Sequence, residues 1–160
     1  VDIIMCESMS SIFEGRNASR VAKEFSERVW LSWTNRGHQP DQLPSTEALS
    51  KAVDFSIEAD VECTLINCSH ADMASNSIKE LKRASRFGIF ANSSTFKEVD
   101  LSVATKDVDA IHHLNSEEIS AKEYAMIALS WAKEGAFVVG GCCGTTVEHT
   151  REIKLLIDSL

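Results

Sequence analysis

The sequence has no block of basic residues, no apolar run near membrane-spanning length, and no Gly-x-Gly-x-x-Gly after its first apolar segment. The first absence, with a net charge of -8, argues against nucleic acid or an anionic membrane surface as the main partner. The second argues against a helical membrane span. The third weakens a dinucleotide-binding reading, which needs close backbone approach to a pyrophosphate at that turn. No secretory signal stands at the start, and the cysteines are odd in number: Cys6, Cys63, Cys68, Cys142 and Cys143. They read as reduced thiols of a cytoplasmic protein, available to metal or to packing, and not as a disulfide framework.

What is present fits one domain. The 160 residues are 44% hydrophobic and 25% charged, as in ordinary globular proteins, and suffice for a real core. The chain opens on Val1 and runs directly into Asp2-Ile3-Ile4-Met5-Cys6, as expected of a chain entered partway through its fold. Apolar runs at 3–6, 29–34, 63–66, 87–91 and 136–139 predict five strands. Helical spacing predicts helices over 17–28, from the Ser45 or Thr46 cap onward, over 72–84, over 117–134 and from 146 to the end. Their inward faces are Ala18, Val21, Ala22 and Phe25; Leu49, Ala52, Val53 and Ile57; Ala74, Ile78 and Leu81; Tyr124, Ile127, Ala128 and Trp131; and Ile153, Leu156, Ile157 and Leu160. Both prolines fall in a polar loop at 35–44, and residues 93–116 show no clear period.

Five alternating βα units predict an α/β fold with a parallel sheet and helices outside. A complete eight-unit barrel of about 250 residues spends about 31 on each unit. Here 160 residues over five units give 32 each, which favours a partial TIM barrel of about five βα repeats over a complete open sheet. In such a barrel the chemistry sits at the C-terminal ends of the strands. Those ends carry Glu7, Ser32 to Thr34, Cys68, Asn92 and the pair Cys142-Cys143.

The adjacent cysteines lie in Gly140-Gly141-Cys142-Cys143-Gly144-Thr145-Thr146, at a strand-to-helix turn. Thr145 or Thr146 can cap the helix that follows, and Thr145 with Glu148 fits a capping box. Structural zinc motifs usually space their cysteines by two to four residues, so an adjacent pair shares a metal only where the backbone bends sharply. Flanking glycines permit that bend. A vicinal disulfide in a redox protein, or two small residues packed at a turn, fits the pair equally well. Cys68 changes the balance, because the third and fifth strands lie only two positions apart and three thiolates can converge there. Three protein ligands with a fourth position open is the arrangement of a catalytic zinc.

These residues carry a family resemblance. Gly140 to Thr146, followed by Glu148-His149, resembles the signature that closes homocysteine S-methyltransferases, with Val147 where the family usually has proline. Ile66-Asn67-Cys68 resembles the family's earlier metal-ligand motif at the end of the sixth barrel strand. Asp2-Ile3-Ile4-Met5-Cys6-Glu7-Ser8 is similar to the fourth strand, whose glutamate contacts the substrate amino acid. Phe90-Ala91-Asn92-Ser93 is similar to the seventh-strand motif, with Ala91 in place of proline.

The resemblance covers essentially all 160 residues, as strands four to eight of a barrel. It implies a zinc enzyme that methylates the thiol of homocysteine to give methionine. Zinc would be held by Cys68, Cys142 and Cys143, and Glu7, Asn67 and Asn92 would bind substrate. The family's first three βα units have no counterpart, so the expectation is a truncated form that lacks half of its pocket wall. An open five-stranded sheet exposes two edges and an apolar face, which predicts a homo-oligomer that buries them. Compact loops and the lack of an appended domain favour a sulfonium donor, S-methylmethionine or S-adenosylmethionine, over betaine or methyl-tetrahydrofolate. The alternative is a noncatalytic, metal-stabilised half-barrel or assembly module. Cys6 and Cys63 read as core, His112-His113 as solvated loop, His70 as a neighbour of Cys68, and Trp30 and Trp33 as sharing one face of their strand.

Overall fold

The computed structural model describes residues 1–37, 39–96 and 116–159. Its elements run β1 (Ile4–Met9), α1 (Ile12–Ala22), β2 (Val29–Trp33), α2 (Leu49–Glu58), β3 (Cys63–His70), α3 (Ala71–Asn76), α4 (Ile78–Leu81), β4 (Phe87–Asn92), β5 (Ser94–Phe96), β6 (Ser116–Glu118), α5 (Ala121–Lys133), β7 (Val138–Gly141) and α6 (Val147–Ile157). Five strands pair in parallel in the order β1-β2-β3-β4-β7, and β5 with β6 forms a separate antiparallel ribbon. Among the described residues, β1 and β7 have no further partner strand and form the two edges.

Alternation along the strands divides two faces. Leu31, Trp33, Ile66, Ile89 and Ala91 join Leu49, Ala52, Val53, Leu81, Ala128 and Trp131 of the helices in one buried core. The opposite face carries Ser32, Leu65, Asn67, Gly88, Phe90, Val138 and Gly140. There the missing side chains of Gly88 and Gly140 leave room for Leu65 and Val138 and for the Phe90 ring. Cys6 and Cys63 are buried, as small core residues should be.

Several boundaries move for identifiable reasons. The first helix starts at Ile12, not at 17, because Ser11 caps it by accepting from the Glu14 backbone N–H. Its buried positions are therefore Gly15, Ser19 and Ala22, while Val21 and Phe25 are exposed. Neither Ser45 nor Thr46 caps α2. Ala48 stands at its N-cap position with no side-chain bond, and Ser45 donates to the Glu47 carboxylate instead. On α2 the buried fourth position is Ser56, bonded to Trp33 Nε1, and Ile57 faces out. The helix expected over 72–84 breaks at Ser77. The Ser77 hydroxyl is buried, donating to the Pro40 and Met73 carbonyls and accepting from Asn35 Nδ2. Trp30 and Trp33 lie on opposite faces, since three positions along a pleat reverse direction. Trp33 meets Phe55 of α2, whereas Trp30 meets Phe137. His112-His113, in the unpatterned stretch, lies outside the described residues.

Glu62 ties together the chain segments that enter β2, β3 and β4. It accepts from Arg28 Nε at 3.0 Å, from Arg86 Nη1 at 3.0 Å and from Trp30 Nε1 at 3.0 Å. The Arg28 bonds, then that from Trp30, hold its carboxyl below the ordinary 4.5. Folding thus lowers this pKa, so the stability Glu62 contributes is complete above the unfolded value and is lost as pH falls through the folded one. Glu62→Gln is expected to flatten the acid limb of a stability-versus-pH profile measured by urea midpoints. Gly15 supplies a second test. Alanine normally stabilises a helix over glycine by about 1 kcal/mol, but a Cβ here would lie 2.4 Å from a ring carbon of buried Trp33. Gly15→Ala is expected to lower the unfolding free energy by about 1–3 kcal/mol, the usual cost of overpacking.

Candidate metal centre

Two strands that flank β2 end in the same device. Between Cys6 and Met9, β1 spends one residue more than β2, and between Asn67 and His70, β3 spends one more than β4. The extra residues are Ser8 and Cys68, with φ of 59° and 52°, a left-handed conformation that costs an L-residue about 1–2 kcal/mol. Asn67 holds both bulges. Its Oδ1 accepts from the Ser8 backbone N–H at 3.0 Å and from Ser32 Oγ at 2.6 Å, and its Nδ2 donates to Ser8 Oγ at 2.8 Å. The Cys68 side chain is thereby turned out of strand alternation, toward the end of β7.

The double-cysteine turn is fixed against β4. Cys142 N–H donates to the Ala91 carbonyl at 2.8 Å, and Cys143 N–H to Asn92 Oδ1 at 3.1 Å. Ser93 N–H donates to the Cys143 carbonyl at 3.0 Å. Gly144, at φ 77°, makes the bend, and a Cβ there would lie 2.5 Å from Ser93 Oγ. Thr145 Oγ1 donates back to the Cys142 carbonyl at 2.7 Å. That bond commits Thr145 to the turn, so α6 starts one residue later than the expected Thr145–Glu148 capping box. Instead Thr146 N–H donates to His149 Nδ1 at 3.1 Å.

These backbones bring three sulfur atoms together. Cys68 Sγ lies 3.3 Å from Cys142 Sγ and 3.5 Å from Cys143 Sγ, and all three fall within 4.8 Å of one another. All five cysteines are free thiols. A zinc–sulfur bond of about 2.3 Å in tetrahedral geometry separates two ligand sulfurs by about 3.8 Å, so the spacing suits a thiolate-bound ion. Burial, then the hydrogen bonds and charges of Cys142 and Cys143, push the Cys68 thiol up to about 12. Cys68 thus resists ionising unless a cation joins it. The group is therefore one that could hold a metal ion, with soft ligands suited to zinc.

Beside the sulfurs opens a cavity of about 370 Å³, lined by Cys68, Cys143, Asn92, Asn35, His70 and Glu118 among others. Asn92 thus faces both the cavity and the cysteine turn. His70 Nδ1 bonds Ser94 Oγ at 2.9 Å, which joins the end of β3 to the β5 ribbon. Asn67 is buried beneath Ser8 and Ser32, and Glu7 is exposed on β1, near the same end of the sheet. Neither is among the residues lining that cavity.

A homocysteine S-methyltransferase family model matches residues 1–157. The chain belongs to the homocysteine S-methyltransferase family. It is 26% identical to homocysteine S-methyltransferase YbgG of Bacillus subtilis (strain 168) over 162 residues, covering 99% of this chain and 48% of that protein. It thus spans about half the length of this relative. Its fold is similar to that of the homocysteine methyltransferase MmuM from Escherichia coli. The match to the apo form has a TM-score of 0.68 at 19% identity and covers 98% of this chain and 50% of that one. The metallated form matches with a TM-score of 0.68, also at 19% identity, over 97% of this chain and 45% of that one. The five parallel βα units are accordingly a partial barrel.

Sequence reasoning placed Ser8 and Ser32 near strand ends but did not find their bonds to Asn67, because a hydrogen-bond network across three strands depends on two bulges that leave no pattern. Tyr124 was legible only as an apolar-face residue. It is fully buried, and its hydroxyl lies 2.8 Å from both the Ala91 and Gly140 carbonyls. Asn67→Ala would strand the Ser8 N–H and the Ser32 hydroxyl without their acceptor. The expected loss is about 1–3 kcal/mol in urea unfolding of the metal-free chain, the cost of leaving a buried polar group unpaired.

Proposed function

We propose that this chain carries the zinc-holding, homocysteine-binding part of a methyltransferase that converts homocysteine to methionine. The observation that carries the reading is the convergence of Cys68, Cys142 and Cys143 from the ends of β3 and β7, beside an open cavity. Zinc, when bound, supplies the positive charge that lets thiols ionise near neutral pH, a substrate thiol included. Cys68, Cys142 and Cys143 would hold it, with the sulfur of homocysteine reaching it from the cavity side.

Glu7 takes the substrate ammonium in a charge-assisted contact. Asn92 reaches the substrate from the cavity wall while it holds the Cys143 amide, and Asn67, buried beneath Ser8 and Ser32, serves substrate binding by setting the Cys68 bulge. In the transfer itself, homocysteine gives its thiol proton to solvent and its sulfur lone pair forms the new bond to the methyl carbon. The bond from that carbon to the donor breaks, and the donor's leaving atom keeps the electron pair. A sulfonium donor, S-methylmethionine or S-adenosylmethionine, suits this step because it departs as a neutral thioether. Glu118, a carboxylate on the cavity wall, suits a cationic donor in the same sense. A cytoplasmic setting keeps the thiols reduced.

The chain spans about half of its relative, and its sheet has two open edges among the described residues. The alternative reading is a metal-stabilised assembly module without catalysis of its own, in which the open edges are docking sites. Either way the edges call for cover, and self-association is the form of cover proposed here. Sedimentation at micromolar concentration is expected to give a dimer or larger species, and a strictly monomeric chain would contradict it. No helix among the described residues is long and apolar enough to cross a membrane.

The test of the site is zinc per chain, by elemental analysis of protein purified without chelator. Near one zinc per chain, lost in Cys142→Ser, is the expected result. A zinc-free wild-type chain would remove the basis of the reading.

A further inference from the structure

Tyr124 projects from α5 into the space between the ends of β4 and β7. Its hydroxyl is 2.8 Å from the Ala91 carbonyl and 2.8 Å from the Gly140 carbonyl. The same Ala91 carbonyl accepts from the Cys142 N–H at 2.8 Å, so the phenol and the first cysteine of the turn share one acceptor. Ala91 immediately precedes Asn92, whose side chain receives the Cys143 amide. Gly140 lies two residues before Cys142.

The ring is held as firmly as the hydroxyl. It meets Trp131 edge to face at a centroid distance of 5.7 Å and His149 at 5.7 Å. His149 in turn accepts from the Thr146 N–H at the start of α6. One side chain therefore touches the strand before the cysteine turn, the strand that receives it and the helix that leaves it.

We infer that Tyr124 is a positioning residue for the metal centre, its hydroxyl clamping the ends of β4 and β7 so that Cys142 and Cys143 meet Cys68. The inference rests on the metal-holding reading above, and adds a residue that is itself no ligand. Outer partners that fix ligand geometry typically change metal affinity by about 10- to 100-fold when removed. A hydrogen bond elsewhere in the same helix packing should not.

The same helix supplies that control. Trp131 Nε1 donates to Ser75 Oγ at 2.8 Å, a part-buried bond that α5 makes away from the cysteine turn. The experiment measures zinc affinity of the 160-residue chain by competition with a chromophoric chelator, for wild type, Tyr124→Phe and Ser75→Ala. Tyr124→Phe is expected to weaken zinc by about 10-fold or more, with Ser75→Ala close to wild type. Equal losses in both variants, or none in Tyr124→Phe, would overturn the inference.

A second readout needs no substitution, because Tyr124 is the only tyrosine in the sequence. In chain labelled with 3-fluorotyrosine, the single fluorine resonance is expected to shift as zinc fills the site, and an unmoved resonance with zinc bound would overturn the clamp. A wild-type chain that binds no zinc at all would instead defeat the metal-holding reading, and the clamp with it.

Discussion

The site depends on a backbone constraint, the left-handed conformation of Cys68 at the end of β3. In ordinary strand alternation residue 68 would point to the helix side, away from Asn67, and its sulfur could not meet the turn after β7. The extra residue in β3 redirects it. Asn67 makes the distortion tolerable by using both ends of its amide on Ser8 of β1 and Ser32 of β2. The cost is of order 1–2 kcal/mol for each left-handed residue. Hydrogen bonds between buried partners offset it, and strain of this kind typically collects at functional positions.

From that constraint the rest of the site follows in order. Cys142 and Cys143 are held by the ladder end of β4, through the Ala91 carbonyl and the Asn92 side chain, and by the bend at Gly144. Burial and the neighbouring sulfurs then keep the Cys68 thiol protonated without a cation. The supporting contacts lie elsewhere. Glu62 with Arg28 and Arg86 ties the entering ends of the strands, and the helix-side core sits beneath both. This separation of chemistry from support is the usual division of a (β/α) barrel, kept here in five of its units.

The candidate residues were legible because each lies at or near the C-terminal end of a strand. A short apolar run followed by Glu7, Asn67-Cys68, Asn92 or Cys142-Cys143 points to what that end presents, although β1 runs on to Met9 and β3 to His70. The parallel order of the five strands followed from their alternation with helices. What stayed illegible is what depends on side-chain hydrogen bonds that periodicity does not encode. Ser11 moved the start of α1 by accepting from the Glu14 N–H, and Ser77 broke the helix into α3 and α4 by bonding the Pro40 and Met73 carbonyls. Tyr124 stood in the expected apolar stripe of α5, yet its hydroxyl reaches two carbonyls at the site. A polar atom in an apolar face was the only signal available.

The account turns on whether the three sulfurs leave a coordination position that homocysteine can fill. X-ray absorption at the zinc edge, on zinc-loaded chain before and after homocysteine, tests this directly. The account predicts three sulfur neighbours plus one lighter atom before addition, and four sulfurs after it. Four protein sulfurs from the outset, or three that homocysteine leaves unchanged, would contradict it.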